Sequence, residues 1–204
     1  MKKLKLLPLM ICTGLAVPAA HADDLNWVFR FGIHDVAPQS NNGTLADGAY
    51  KAELSDSTRP TASIEYLFTP NVGLDVLAAW PFKHTLDLNG VKSAEFKQLP
   101  PTVGVNWYFL TDGSWSPFVG VGLNYTYVFD EKTQGPLAGT KLSVDNSFGP
   151  AAHLGVDFNV APRWLITVDA RWIDIEATAH VNGADVGKVK VDPWVFGVSA
   201  GYRF

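Results

Sequence analysis

The chain has 204 residues, 47% of them hydrophobic and 18% charged, with 18 Gly, 13 Pro and one Cys. Charged residues fall below the ~25% of an average soluble domain, while Phe, Tyr and Trp make up 12%. These figures exclude disorder, collagen-like sequence and a disulfide scaffold, and a net charge of −4 gives no reason to expect nucleic acid as a partner.

Residues 1–22 read as a cleaved secretory signal peptide. Lys2, Lys3 and Lys5 form a basic end, Leu6–Val17 a short apolar stretch, and Ala20-His21-Ala22 a small-residue cleavage site. The stretch is too short for a membrane helix, which needs ~20 apolar residues. Cys12 lies inside it, and Ile11 before it is not the small residue a lipidated cysteine wants. Cleavage leaves 182 residues as one domain, 23–204, and removes three lysines and no acid, so the charge moves from −4 to −7. The only cysteine leaves too, so the exported domain must hold without disulfides.

From Leu25 the hydrophobic pattern has period two. In Leu25–Val36 the apolar set is Leu25, Trp27, Phe29, Phe31 and Ile33, and a long polar connection, Ala37–Ser57, follows. Thr58–Thr69 offers Ala62, Ile64, Tyr66 and Phe68, then the short turn Thr69-Pro70-Asn71. Val72–Lys83 offers Val72, Leu74, Val76, Ala78, Trp80 and Phe82, then the long connection His84–Lys97. Gln98–Phe109 offers Leu99, Val103, Val105, Trp107 and Phe109, then a short connection, Leu110–Trp115. Ser116–Asp130 offers Val119, Val121, Leu123, Tyr125, Tyr127 and Phe129, then Glu131–Ser147. Phe148–Val160 offers Phe148, Ala152, Leu154, Val156 and Phe158, then Ala161-Pro162-Arg163. Trp164–Thr178 offers Trp164, Ile166, Val168, Ala170 and Trp172, then Ala179–Lys188. Val189–Phe204 ends the chain with Trp194, Phe196, Val198, Ala200, Tyr202 and Phe204.

These eight segments predict an all-β fold, an eight-stranded antiparallel transmembrane β-barrel. The faces opposite the apolar sets carry Gly, Asn, Thr, Asp, Glu and Arg. Packing so many Phe and Trp inside eight strands would overfill a soluble barrel, whereas a lipid-facing barrel turns them outward. Connections alternate short and long, as short periplasmic turns and longer outer loops do. Trp27, Phe68, Trp107, Trp115, Trp164, Tyr202 and Phe204 lie near the short-turn side. Trp80, Phe82, Tyr127, Phe129, Trp172 and Trp194 lie near the long-loop side, giving two aromatic girdles. The expected place is the outer membrane of a Gram-negative bacterium, crossed many times and bathed in outer-membrane lipid. Terminal Tyr202 and Phe204 resemble the assembly signal that the outer-membrane assembly machinery reads in bacterial barrels.

Several motifs together resemble the OmpW family, across essentially the whole mature chain. They are Leu99-Pro100-Pro101-Thr102, Asn106-Trp107-Tyr108-Phe109, Pro117–Thr126, Ala79–His84, Asp174-Ile175-Glu176 and the ending Asp192-Pro193-Trp194-Val195-Phe196 with Ser199–Phe204. The resemblance implies an eight-stranded outer-membrane barrel that passes small hydrophobic molecules, with an AlkL branch that takes up alkanes. It implies no cofactor and no catalytic residue. One departure is Arg171, where family members carry an inward aromatic before the position of Trp172. It implies a narrower or shallower apolar conduit.

Inward positions near the short turns are Arg30, Glu65, Asp75, Asp157, Asp169, Arg171 and Arg203. Unpartnered buried charges are costly, so these predict an ion-pair plug in the lower lumen. Filling a narrow barrel is the plainer role for the same residues. Nearer the long loops the inward set is Leu77, Ala79, Pro81, Pro100, Ile173, Val191, Pro193 and Val195, an apolar transport lumen. The apolar set shifts to Ile173, Ile175 and Ala177 after Arg171, which predicts a bulge there. Pairing Lys83 with Gln98 sets Pro81 opposite Pro100 with Pro101 beside them. Proline donates no ladder hydrogen bond, so these three predict a lateral opening, although they also suit ordinary strand ends.

The expected function is passive uptake of a small hydrophobic solute with exit into the bilayer. The rival is a structural or interaction barrel with a sealed lumen, whose long Ala37–Ser57 loop meets a receptor. A soluble lipocalin-like carrier would leave the outward Trp and Phe in water. An enzyme has one foothold in inward Ser199 and His153, but nothing orients them as nucleophile and base. His34, His84, His153 and His180 show no paired spacing, so no metal is expected.

Overall fold

A computed structural model describes residues 25–204. The expected leader, with Cys12 and its cleavage site, lies outside the described residues. Fifteen strands appear in chain order: β1 (Trp27–Ala37), β2 (Thr44–Leu45), β3 (Tyr50–Leu54), β4 (Ser57–Thr69), β5 (Val72–Ala79), β6 (Phe82–Leu88), β7 (Val91–Leu99), β8 (Thr102–Tyr108), β9 (Trp115–Thr133), β10 (Leu142–Val144), β11 (Ser147–Ala161), β12 (Trp164–Ile173), β13 (Glu176–Val181), β14 (Ala184–Lys190) and β15 (Trp194–Arg203).

Eight of these strands close a barrel. Antiparallel ladders run β1–β4–β5–β8–β9–β11–β12–β15, and β15 pairs back with β1 from Val28↔Arg203 to Ala37↔Trp194. Closure leaves no free edge in the wall. Each wall strand alternates outward apolar residues with inward ones, the inward set being largely polar or small low in the barrel and apolar higher up. On β15 the outward residues are Trp194, Phe196 and Val198, while Val195, Gly197 and Ser199 are buried inside. Two aromatic bands ring the wall. Trp27 packs on Tyr66 and Trp164 on Tyr202 at the short-turn end, and Phe31 meets Trp80 near the other.

The long connections are not polar loops, as the sequence reading had them. Residues 84–97 form most of the β6–β7 hairpin, turned at Asn89-Gly90, and 179–188 most of the β13–β14 hairpin, turned at Asn182-Gly183. Both turn pairs have positive φ, as tight hairpin turns require. Their alternation is short and mixed with lysines, so it passes for loop. Its inward residues, Leu86, Leu88, Ala94, Phe96, Ala179 and Val189, join Leu45, Ala52, Val128 and Leu142 in an apolar cluster. β9 explains how this cap is carried. Its 19 residues span about 60 Å, far beyond a ~25 Å apolar band, so it runs from the membrane wall into the cap. There it pairs with β7 through Leu99↔Tyr127 and Glu95↔Lys132.

Outside the cap, Lys83 and Lys92 each place Nζ 2.7 Å from a Glu95 carboxylate oxygen. Hydrogen bonds from Lys83 and then Lys92 lower the Glu95 carboxyl to about 2. A depressed carboxylate contributes stability above its unfolded value of ~4.3, and that contribution is lost only as pH falls through the folded value. A carbon-13 titration should therefore give Glu95 a midpoint near pH 2. With both lysines replaced by alanine it should return to ~4.3; an unmoved midpoint would remove the lysines as its cause.

No bulge lies between Arg171 and Ala177; the register shift on this path comes later, between Ala179 and His180. Leu165, Thr167, Asp169, Arg171, Ile173, Ile175 and Ala177 are all buried, so the inward parity never changes. What changes is chemistry: the same face passes from polar to apolar as it rises. The β12 ladder to β15 is regular through Trp172↔Trp194.

Candidate functional site

The barrel interior divides into a polar lower half and an apolar upper half. Arg30 is at the centre of the lower tier. Its Nη1 donates to Glu65 Oε2 at 2.7 Å, its Nη2 to Asp157 Oδ2 at 2.7 Å and to Tyr108 Oη at 3.0 Å, and its Nε to Thr167 Oγ1 at 3.0 Å. Tyr108 in turn donates to Glu65 at 2.6 Å, and Thr167 to Asp157 at 2.6 Å. Glu65 and Asp157 are fully buried. Each is satisfied by several charge-assisted bonds, the condition under which buried ions are tolerated.

A second tier lies above it. Arg171 Nη2 donates to Asp75 Oδ2 at 2.9 Å, and its Nε stands 3.5 Å from Asp169. His34 Nε2 and His153 Nε2 both reach Asp169, at 3.2 and 3.0 Å. Asn106 donates its amide N–H to Glu65, which leaves its oxygen to accept from His153 Nδ1 at 3.1 Å. Both ring nitrogens of His153 therefore have a polar partner, Asn106 on one side and Asp169 on the other. Glycine makes room for these groups: a Cβ at Gly197 would strike the His34 ring, and one at Gly73 the Glu65 carboxyl.

Of the charged residues expected in the lower lumen, Arg30, Glu65, Asp75, Asp157, Asp169 and Arg171 come together. Arg203 does not. It is half-buried at the short-turn mouth, makes no ion pair among the described residues, and leaves its Nε without a partner there. It lines a vestibule of about 470 Å³ with Val28, Thr69, Tyr108, Ser116 and Asp157. Its pairing with Val28 at the short-turn end of β15 puts it below the network.

Sequence reasoning left Tyr108, Asn106, Thr167 and His34 out of the network, and placed His153 inward without giving it a partner. Inward parity was the available signal for Asn106 and Tyr108, but Tyr108 is hidden between outward Trp107 and Phe109. The histidines sit on β1 and β11, far apart in sequence, and converge only through barrel closure. Phe118 also points inward, against Tyr108 and His153, where small residues were expected. The space left among these groups is about 10 Å³, room for one water at most.

The upper half is apolar but filled. Ile173, Val191 and Val195 pack with Val36, Phe82, Ala151 and Ile175, and Ala79 lies against them. Pro100 and Pro193 are buried, and Pro81 is half-buried. Leu77 sits lower, bordering the Arg171 and His153 tier. The void between this cluster and the cap is about 20 Å³, lined by Leu54, Phe96, Ile175, Ala177 and Val189 among others.

The proline register differs by one residue from that expected. Phe82 pairs with Gln98 and Lys83 with Lys97, so Pro81 is not set opposite Pro100. The extra residue is absorbed in a break. The β5–β8 ladder stops at Leu77↔Thr102, and no pair joins Ala78–Pro81 to Leu99–Pro101. Neighbouring ladders continue past it: Trp80 N–H bonds Pro60 O, and Tyr125 N–H bonds Pro101 O. The interruption is confined to one seam of the wall, above the ion-pair tiers and beside the apolar cluster.

The closed eight-stranded antiparallel wall is shared with known proteins. The chain matches the OmpW family over residues 25–204. It belongs to that family. Outer membrane protein W of Vibrio cholerae is 34% identical, with 95% of this chain and 98% of that one covered. The solution structure of Escherichia coli outer membrane protein W is 34% identical, TM-score 0.64, covering 88% of this chain and 97% of that one. The crystal structure of OprG from Pseudomonas aeruginosa is 30% identical, TM-score 0.78, covering 88% and 95%. The protein is thus an outer-membrane β-barrel of a Gram-negative bacterium, its short turns periplasmic and its cap outside.

Proposed function

We propose that this OmpW-family barrel takes up small hydrophobic molecules through its apolar outer half and releases them sideways into the bilayer. The observation that carries this reading is the unpaired wall seam between Ala78–Pro81 and Leu99–Pro101. It lies where a solute would leave the apolar cluster, directly above groups that a greasy solute has no means of desolvating. Removing apolar area from water favours admission by ~25 cal/mol per Å². The bilayer offers the same gain on exit, so no gradient coupling or bound cofactor is needed. Three prolines at the seam, Pro81, Pro100 and Pro101, keep it from zipping, since they bring no N–H to the ladder. A Pseudomonas aeruginosa relative, 22% identical over 90% of this chain, is named dibenzothiophene metabolism operon protein PahQ. That name links the relative to an apolar aromatic compound. In this reading the barrel carries out no reaction.

The test is flux into liposomes of a hydrophobic tracer against a polar solute of equal size. Replacing Pro81, Pro100 and Pro101 together with valine or threonine should cut hydrophobic flux at least tenfold and leave folding intact. Unchanged flux would remove the lateral route. The filled upper lumen and its void of about 20 Å³ favour a second reading, a sealed interaction barrel. Absence of hydrophobic flux in the unaltered protein would establish that one instead.

A further inference from the structure

The outer hairpins build a second ring on top of the membrane wall. Around it run β9, β7, β6, β3 and β2 on one side and β10, β13 and β14 on the other. On the first side every junction is a strand ladder. On the second, β10, β13 and β14 are likewise laddered. β10 meets β9 without a ladder, but the 134–141 loop joins the two strands at the outer end, where Thr133 Oγ1 donates to Thr140 O at 2.9 Å and Val144 N to Glu131 Oε1 at 3.3 Å. The remaining junction is where residues 39–46 lie along β14.

That junction is light. Three backbone hydrogen bonds cross it: Gln39 N to Val191 O at 3.0 Å, Lys190 N to Asn42 O at 3.1 Å and Ala46 N to Val186 O at 2.7 Å. Its one buried polar side chain is Asn42, 1% exposed. Asn42 Nδ2 donates to Lys190 O at 2.7 Å, and its Oδ1 accepts from Leu54 N at 2.9 Å. Gly43 and Gly187, both at positive φ, face each other's strands, so the backbones approach closely there. A Cβ at Gly43 would stand 2.9 Å from Lys188 O. Behind the junction lie Leu45, Ala52 and Val189 of the cap's apolar cluster.

We propose that the cap opens along this junction, with Asn42 as its latch, and that the opening is the outer entrance for the hydrophobic solute. The β10–β13–β14 sheet swings away from residues 39–46 as a unit, hinged where the 134–141 loop ties β10 to β9. Breaking the Asn42–Lys190 bond, the Gln39–Asp192 side-chain bond and three backbone bonds uncovers the apolar cluster directly. Opening any laddered junction breaks a continuous strand pairing, and the connecting loop keeps β9 and β10 from parting at the outer end. The proposal rests on the transport reading for its solute, and the experiment has separate outcomes for each.

With Asn42 set against Lys190 and Ala46 against Val186, Thr44 faces Lys188. Both side chains are exposed. The only cysteine of the chain is Cys12, so a Thr44→Cys, Lys188→Cys barrel in liposomes holds no competing thiol once the leader is gone. Oxidation should lower uptake of the hydrophobic tracer at least tenfold, and reduction should restore it, with neither single-cysteine barrel responding. Equal uptake in both redox states overturns the entrance while leaving transport intact. Absence of uptake in every form, the unaltered protein included, overturns transport and the solute's use of the junction together. Hydrogen exchange tests the latch without any solute. Asn42→Ala should speed exchange of the Ala46 and Lys190 amides at least tenfold while the β6–β7 ladder stays unchanged. Unchanged exchange there overturns the latch whatever the flux shows.

Discussion

Replacing Arg30 with methionine is expected to lower the stability of the folded barrel by about 3–5 kcal/mol. Urea titration of folding into phospholipid vesicles reads this as a lower midpoint. Arg30 is the only cation bonded to Glu65 and to Asp157 among the described residues, at 2.7 Å to each. Methionine fills much of the same space and removes every donor. Two fully buried carboxylates then face each other's field with only Tyr108, Asn106 and Thr167 left to serve them. The cost is that of stranded charges, not of a lost attraction, and a second variant separates the two. Adding Glu65→Gln and Asp157→Asn to Arg30→Met removes the charges while keeping the shapes. That triple variant should recover most of the loss, because a neutral buried group costs far less than an unpaired ion. A single variant that loses less than about 1 kcal/mol would mean that water reaches these carboxylates, and the lower lumen would not be closed.

The wall was legible in the sequence because its physics is periodic. A lipid-facing strand must alternate, and residues such as Val119, Val121 and Leu123 announce it over long runs. The cap was not legible, because each of its hairpins is short and its apolar face is completed by other hairpins. Leu86 and Phe96 look like scattered residues in a charged loop until β3, β9 and β13 supply their partners. The ion-pair groups were legible as a set, since an inward Arg or Asp in a narrow barrel needs a partner. Their pairing was not, since Arg30, Glu65 and Asp157 come from three separated strands. Arg203 shows the limit of that reasoning. Its parity matches the network, but parity says which way a side chain points and not how far along the barrel it ends. The proline register failed for a related reason. A ladder extrapolated from one end cannot foresee that four residues will face three across a break.

Arginine in place of Val198 is expected to cost about 2–4 kcal/mol in the same vesicle titration, as a charge at the bilayer midplane does. Val198 faces outward, pairs with Ile33 on one side and Val168 on the other, and lies four residues from both Trp194 and Tyr202. Those aromatics belong to the two girdles, so the position between them is midway through the apolar band. No inward partner is within reach of an arginine there, because the neighbouring outward residues are all apolar. Val160 supplies the contrast. It is outward and 61% exposed, but sits one residue before the end of β11, beside the periplasmic turn. An arginine there can reach the headgroups, and Val160→Arg should cost only about 0–1 kcal/mol. The difference between the two variants isolates depth, since both place the same charge on the same face of the wall. Equal costs would mean that depth along the wall has no effect, and the girdles would not mark the membrane boundaries.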